Sequence, residues 1–133
     1  AKASAMYLRA AERGNKVSQN NIAMRFFSGA DIAMDKEKAF MWHKRSAEND
    51  YGRGQYYLAT RYNTGEGTDP DLEKAVYWYK RAAKQGSIKA TLVLKTMELE
   101  KKYADNTIKP PEQLQLAVEL KLQYQHKYTY LKN

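Results

Sequence analysis

At 133 residues with 43% apolar content, the chain has the length of one domain and enough apolar side chains to bury a core. It contains no Cys, which removes disulfides, thiolate metal sites and Cys nucleophiles together, and no window reaches the roughly 18 consecutive apolar residues of a membrane span. Lys and Arg number 23 against 15 Asp and Glu, a formal net charge of +8 that raises nucleic acid or an acidic protein as partner; yet Lys36, Lys38, Lys44, Lys74, Lys80 and Lys89 are interleaved with acids, so most read as solvated helix faces.

The first element, around Ala5-Met6-Tyr7-Leu8-Arg9-Ala10-Ala11, returns as Met41-Trp42-His43-Lys44-Arg45-Ser46-Ala47 and again as Tyr77-Trp78-Tyr79-Lys80-Arg81-Ala82-Ala83, each time 36 residues on. Arg9, Arg45 and Arg81 fall in register, as do Lys2-Ala3, Lys38-Ala39 and Lys74-Ala75. Between copies, Phe26 pairs with Tyr62, Gly29 with Gly65 and Asp35 with Asp71. One period held this long marks a repeat protein. Because the chain starts at Ala1 and joins the pattern at a second helix, it is expected to be a fragment or processed form whose partner first helix lies outside it.

Each period holds two helix-length segments with apolar residues three and four apart and breaks at Gly. In the clearest copy a first helix is predicted from about Gly52 to Tyr62, with Gly54, Leu58 and Tyr62 on one face. Gly65 and Gly67 supply positions free to take positive φ, and Asp71 is placed to cap a second helix from Leu72 to Lys84. Ala75, Trp78, Tyr79, Ala82 and Ala83 form its packing stripe. Gly86 ends it before Ser87 caps the next hairpin. Asp31, Ile32 and Ala33 lack the second turn glycine, so that loop is expected to take a different shape.

Beyond Leu94 the repeat decays at Lys95 and Glu98. A loop through Pro110-Pro111 and a last helix over about Glu112 to Leu131 follow. Leu114, Val118 and Leu122 line one side of that helix and Leu116, Leu120, Tyr124 and Tyr128 an adjacent one, the pattern of a cap closing the end of a helical stack. The domain reading is repeats over 1–104, then loop and capping helix over 105–133.

The pattern Tyr62-x-x-Gly65-x-Gly67, Asp71, Lys74-Ala75-x-x-Trp78-Tyr79-x-x-Ala82-Ala83 and Gly86 resembles the Sel-one-like repeat (SLR) family, a relative of the tetratricopeptide repeat. The likeness covers roughly residues 2 to 94. It implies an all-α fold, a short right-handed α-α superhelix (a solenoid of helical hairpins), here with the C-terminal capping helix. Proteins similar to this in bacteria and eukaryotes act as adaptors in signalling, envelope assembly and host interaction. Some small bacterial ones look like antagonists of toxic effectors encoded beside them, a role that suits a small basic chain.

No catalytic constellation emerges. His43 and His126 have no partner at ligand spacing, and His43 reads as a helix residue standing where the repeat has an aromatic. Gly65-Glu66-Gly67 lacks the strand and the Lys-Ser/Thr of a phosphate-binding loop. No enzyme activity, cofactor or metal is expected. Advancing about 100° per residue from Gly54 places Tyr56, Thr60 and Asn63 opposite the packing stripe, open to a partner. Their equivalents one period earlier are Asn20, Met24 and Phe27, with Asn21, Arg25, Tyr57 and Arg61 at the flank. First helices of such solenoids line the concave surface, so these ten residues form the expected groove for a partner protein or peptide; their amide, Arg, Tyr, Met and Phe composition is that of protein-binding surfaces. Leu92, Val93, Thr96 and Leu99 hold the same face in the third copy, where the final helix is expected to fold back. The alternative is a basic nucleic-acid-binding repeat protein. The compartment is open: a Cys-free chain suits cytoplasm, periplasm or secretion alike.

Overall fold

The computed structural model describes residues 2–104, which form six helices: α1 (Lys2–Glu12), α2 (Lys16–Ser28), α3 (Lys36–Glu48), α4 (Gly52–Thr64), α5 (Leu72–Lys84) and α6 (Ile88–Lys102). The chain divides into two compact units, residues 1–91 and 92–133. The loop and capping helix expected over 105–133 lie outside the described residues, and so does His126. In the first unit each helix from α1 to α4 packs on its successor, and α2 also touches α4. The architecture is an all-α solenoid of helical hairpins.

The starts of the helices follow from their caps. The side chains of Asn15, Asp35 and Asp71 accept from the backbone N–H three residues on, at 2.9, 3.0 and 3.1 Å. Ser87 does the same for Ala90 at 3.1 Å. Each satisfies a donor that a helix start leaves without an intrahelical acceptor. α2 and α4 end on Gly29 and Gly65, both left-handed, whose N–H groups return to the carbonyls of Arg25 and Arg61.

The connection through Asp31 corrects the expectation of a different loop shape. Asp31 takes φ 51°, in the same left-handed region as Gly67 at φ 81° one period later. Both loops then close alike: Asp35 N–H donates to Phe26 O at 2.8 Å, and Asp71 N–H to Tyr62 O at 2.9 Å. Asp tolerates this backbone better than most residues because its short side chain finds local hydrogen bonds. Here they come from the Ser4 hydroxyl and from Arg25.

The core is built from residues one period apart. Ile22 and Leu58, Ala39 and Ala75, Ala11 and Ala47 are buried in equivalent places, as are Phe26 and Tyr62. Gly54 lets α3 and α4 meet: a Cβ there would overlap the Ser46 hydroxyl and lie 2.8 Å from its Cβ. Trp42 and Trp78 sit at the edge of the packing, half-buried, with the guanidinium groups of Arg45 and Arg81 over their rings at 4.6 and 5.0 Å.

A second device repeats with the same period. Gln19 and Gln55 are buried, and each donates to the carbonyl eight residues back, Ala11 O at 3.1 Å and Ala47 O at 3.3 Å. Each also accepts from an amide of the next turn, Asn49 for Gln19 and Gln85 for Gln55, both at 2.9 Å. Gln55→Ala removes both bonds from a fully buried position and leaves a void. It is expected to lower unfolding stability by roughly 2–3 kcal/mol in urea titration, from two lost hydrogen bonds at about 1 kcal/mol each and the cavity left behind.

Candidate functional site

The groove residues stand on α2 and α4, the first helices of successive hairpins. Met24 is 37% exposed, Asn63 is exposed, and Asn21, Arg25, Phe27, Tyr56, Tyr57 and Thr60 are half-buried. Asn20 and Arg61 correct the expectation of an open position: they are only 4% and 7% exposed. A single helical wheel shows one packing stripe, but α4 packs on α3 and α5 and also touches α2, so more of its circumference is covered.

Six of the ten come together. The Arg61 guanidinium lies 3.8 Å from the Phe27 ring centroid, a cation–π contact in a sheltered position. Tyr56 meets Tyr57 edge-on at 5.3 Å and lies 5.8 Å from Tyr79. Thr60 Oγ1 is 3.0 Å from Tyr79 Oη, and the Arg61 charge acts on the Tyr57, Tyr56 and Tyr79 side. Asn63 joins at the edge through a hydrogen bond with Tyr79. Arg25 stands with a different set, over the Tyr7 ring at 5.3 Å and paired with Asp31 at 2.9 Å.

The residues that complete this cluster were not among the expected contacts. Tyr7, His43 and Tyr79 are one register position of the second helices, and Arg25 and Arg61 one of the first. His43 is fully buried on α3, stacked on Tyr57 at 5.4 Å, and among the described residues neither ring nitrogen has a hydrogen-bond partner. Burial first, then the positive charge of Arg61, hold its pKa at about 3. It is therefore neutral at ordinary pH, a ring in the aromatic stack where the other copies have Tyr. The period was the signal for it: His43 falls at the register position that Tyr7 and Tyr79 hold.

Turn carboxylates hold the two arginines. Asp31 receives Ser4 and Arg25; the Ser4 hydroxyl above all keeps its carboxyl well below the usual range against the upward pull of burial. Glu66, between Gly65 and Gly67, lies with Oε1 3.5 Å from Arg61 Nη1 and Oε2 3.3 Å from Lys36 Nζ. Burial pulls its pKa upward, but Thr64, Lys36 and Arg61 together hold it below its ordinary value. Burial likewise draws Arg61 down, opposed chiefly by Glu66. Among the described residues no group of three His, Asp or Glu side chains is placed to hold a metal ion, and no helix is long and apolar enough to cross a membrane.

A model of the Sel1 repeat matches the chain three times, over residues 1–15, 16–51 and 52–87. Two solved structures are similar. A Sel1 repeat protein from Oxalobacter formigenes is 31% identical, with 67% of each chain covered and a TM-score of 0.66. A protective antigen of uropathogenic Escherichia coli strains with an SLR fold is 27% identical over 75% of this chain, with a TM-score of 0.71; the match spans 21% of the antigen's length. None of the curated proteins matches.

Proposed function

Because the chain belongs to the Sel1 repeat family, whose members are generally protein-interaction modules, we propose that it is a non-enzymatic adaptor that holds a segment of a partner protein on the α2–α4 face. The observation that supports this most is the cluster of Phe27, Tyr56, Tyr57 and Arg61, bordered by exposed Met24 and Asn63. Aromatic rings with a fixed guanidinium provide large contact area at small entropic cost, the make-up of interface hot spots. A small basic chain of this kind suits an antagonist of an effector, or a part in envelope assembly or host interaction. The likeness to an antigen described as protective favours the last of these.

Nucleic acid is the alternative, on the net charge of +8. Against it, Arg25, Lys36, Arg61, Lys74 and Arg81 each stand within 4 Å of a carboxylate, so these cations are interleaved with acids rather than gathered into a stripe for phosphates. The double substitution Met24→Ala, Asn63→Ala separates the two readings. Capture from extract at two salt concentrations, with and without nuclease, is expected to yield one stoichiometric protein with the native chain under either treatment and at least tenfold less with the variant, since truncating side chains that a partner buries weakens binding. Retention of nucleic acid from the untreated extract that fades with salt and is unchanged in the variant would show phosphate binding instead.

A further inference from the structure

The two equivalent arginines are held differently. Arg25 is paired closely, at 2.9 Å, with an Asp31 carboxylate that also receives Ser4. Arg61 meets Glu66 only at 3.5 Å, longer than the 2.7–2.9 Å typical of a charge-assisted hydrogen bond. Its Nε and Nη1 atoms are buried and make no aligned hydrogen bond among the described residues. Lys36 shares the same carboxylate and also lies over Phe27, at 5.4 Å. Two cations thus converge on one aromatic face and one loosely seated carboxylate, with unused donors on the guanidinium. The site is charge-complementary to one further carboxylate, or to a better-placed one.

From this we propose that Arg61, Lys36 and Phe27 form a carboxylate-binding subsite of the α2–α4 face, occupied in the unbound protein by Glu66, and that an acidic segment of the partner displaces Glu66 to bind there. The proposal rests on the protein-binding reading above and adds the chemistry of the occupant. Glu66 is suited to leave, since it sits in the turn between α4 and α5, its side chain is 35% exposed, and its withdrawal opens the Arg61 edge from the side of Lys36. An Asp or Glu side chain and a C-terminal carboxylate present the same group, and bidentate seating on Nε and an Nη atom of Arg61 suits either.

The test measures binding of three fluorescent peptides by anisotropy: an acetylated, C-amidated peptide of alternating Glu and Tyr; its counterpart with Gln for Glu; and the Gln peptide ending in a free carboxylate. Glu66→Gln removes the competing charge while keeping shape. It is expected to raise affinity for the Glu peptide about five- to tenfold over the native chain, leaving the Gln amide peptide unchanged; a matching gain for the Gln peptide with the free carboxylate assigns the site to chain termini. Lys36→Gln is expected to weaken the same peptides. Glu73→Gln on α5 adds the same net charge elsewhere and is expected to change nothing, which separates the subsite from general attraction. Equal affinities of native and Glu66→Gln proteins for the Glu peptide, or an equal gain with Glu73→Gln, overturn the subsite. The protein-binding reading fails separately, if the captured partner is retained by the Met24→Ala, Asn63→Ala variant.

Discussion

Gly67→Ala is expected to lower unfolding stability by about 3 kcal/mol, a large share of the 5–15 kcal/mol that holds a typical domain. Two costs combine. The residue sits at φ 81°, where a side chain costs roughly 1–2 kcal/mol. Its Cβ would also overlap the Lys36 carbonyl oxygen and lie 2.7 Å from that carbonyl carbon. Because the obstacle is backbone at the start of α3, no rotamer relieves it, and overpacking of this kind costs about 1–3 kcal/mol. Gly14→Ala separates the terms: it too has positive φ, at 97°, but nothing lies within 4 Å of its Cβ, so only the first cost of about 1 kcal/mol applies. Urea midpoints of the two variants read the difference directly. Equal losses would mean that the approach of the Gly65–Gly67 turn to α3 is unimportant. That approach also brings Glu66 to Lys36, so Gly67→Ala is expected to disturb the subsite as well as the fold.

Acidification is expected to destabilise the protein through His43, beginning well above the carboxylate range. The imidazole is held at about 3, from an ordinary 6.5, by burial and then by the Arg61 charge. Once unfolded it takes a proton below about pH 6.5, whereas the folded chain refuses one until about pH 3. In that window the unfolded state binds more protons, so stability is full above about pH 7 and falls by roughly 1.4 kcal/mol per pH unit as the pH drops below 6.5. At pH 5 the loss is about 2 kcal/mol. Asp31 and Glu66, held below their ordinary values, add losses in the same direction at lower pH, so the range from about 5 to 7 isolates the histidine. His43→Phe puts an aromatic ring at the position of Tyr7 and Tyr79 and is expected to flatten the profile there. His126 is common to both proteins and cancels. A native profile as flat as that of the variant would mean that His43 opens to solvent in the folded chain.

The period of 36 residues made most of the hairpin legible. α5 runs from Leu72 to Lys84 as the spacing predicts, Asp71 and Ser87 cap as expected, and α4 passes its predicted end at Tyr62 by two residues. These features depend on local chemistry: caps, glycine turns and one apolar face. What the sequence did not disclose depends on contacts between hairpins. Gln19 and Gln55, as polar residues, stand outside any apolar pattern, yet they are buried and tie the end of one helix to the turn of the next. Arg61 lies on the flank of its helical wheel but is buried where a cation meets an aromatic ring of α2 and a turn carboxylate. Asp31 occupies a left-handed position that composition assigns to glycine. In each case the repeat register named the equivalent residues, and only their partners from neighbouring repeats revealed the role.

The claim that this chain binds a partner protein through the α2–α4 face is tested most directly by site-specific photo-crosslinking. A photoreactive phenylalanine replaces Met24 or Asn63 on the proposed face, or Tyr77, 54% exposed on α5, as a position outside it. One crosslinked protein species is expected from Met24 and Asn63 and none from Tyr77. The same species from Tyr77, with none from Met24 and Asn63, would contradict it and move the interaction to the second helices.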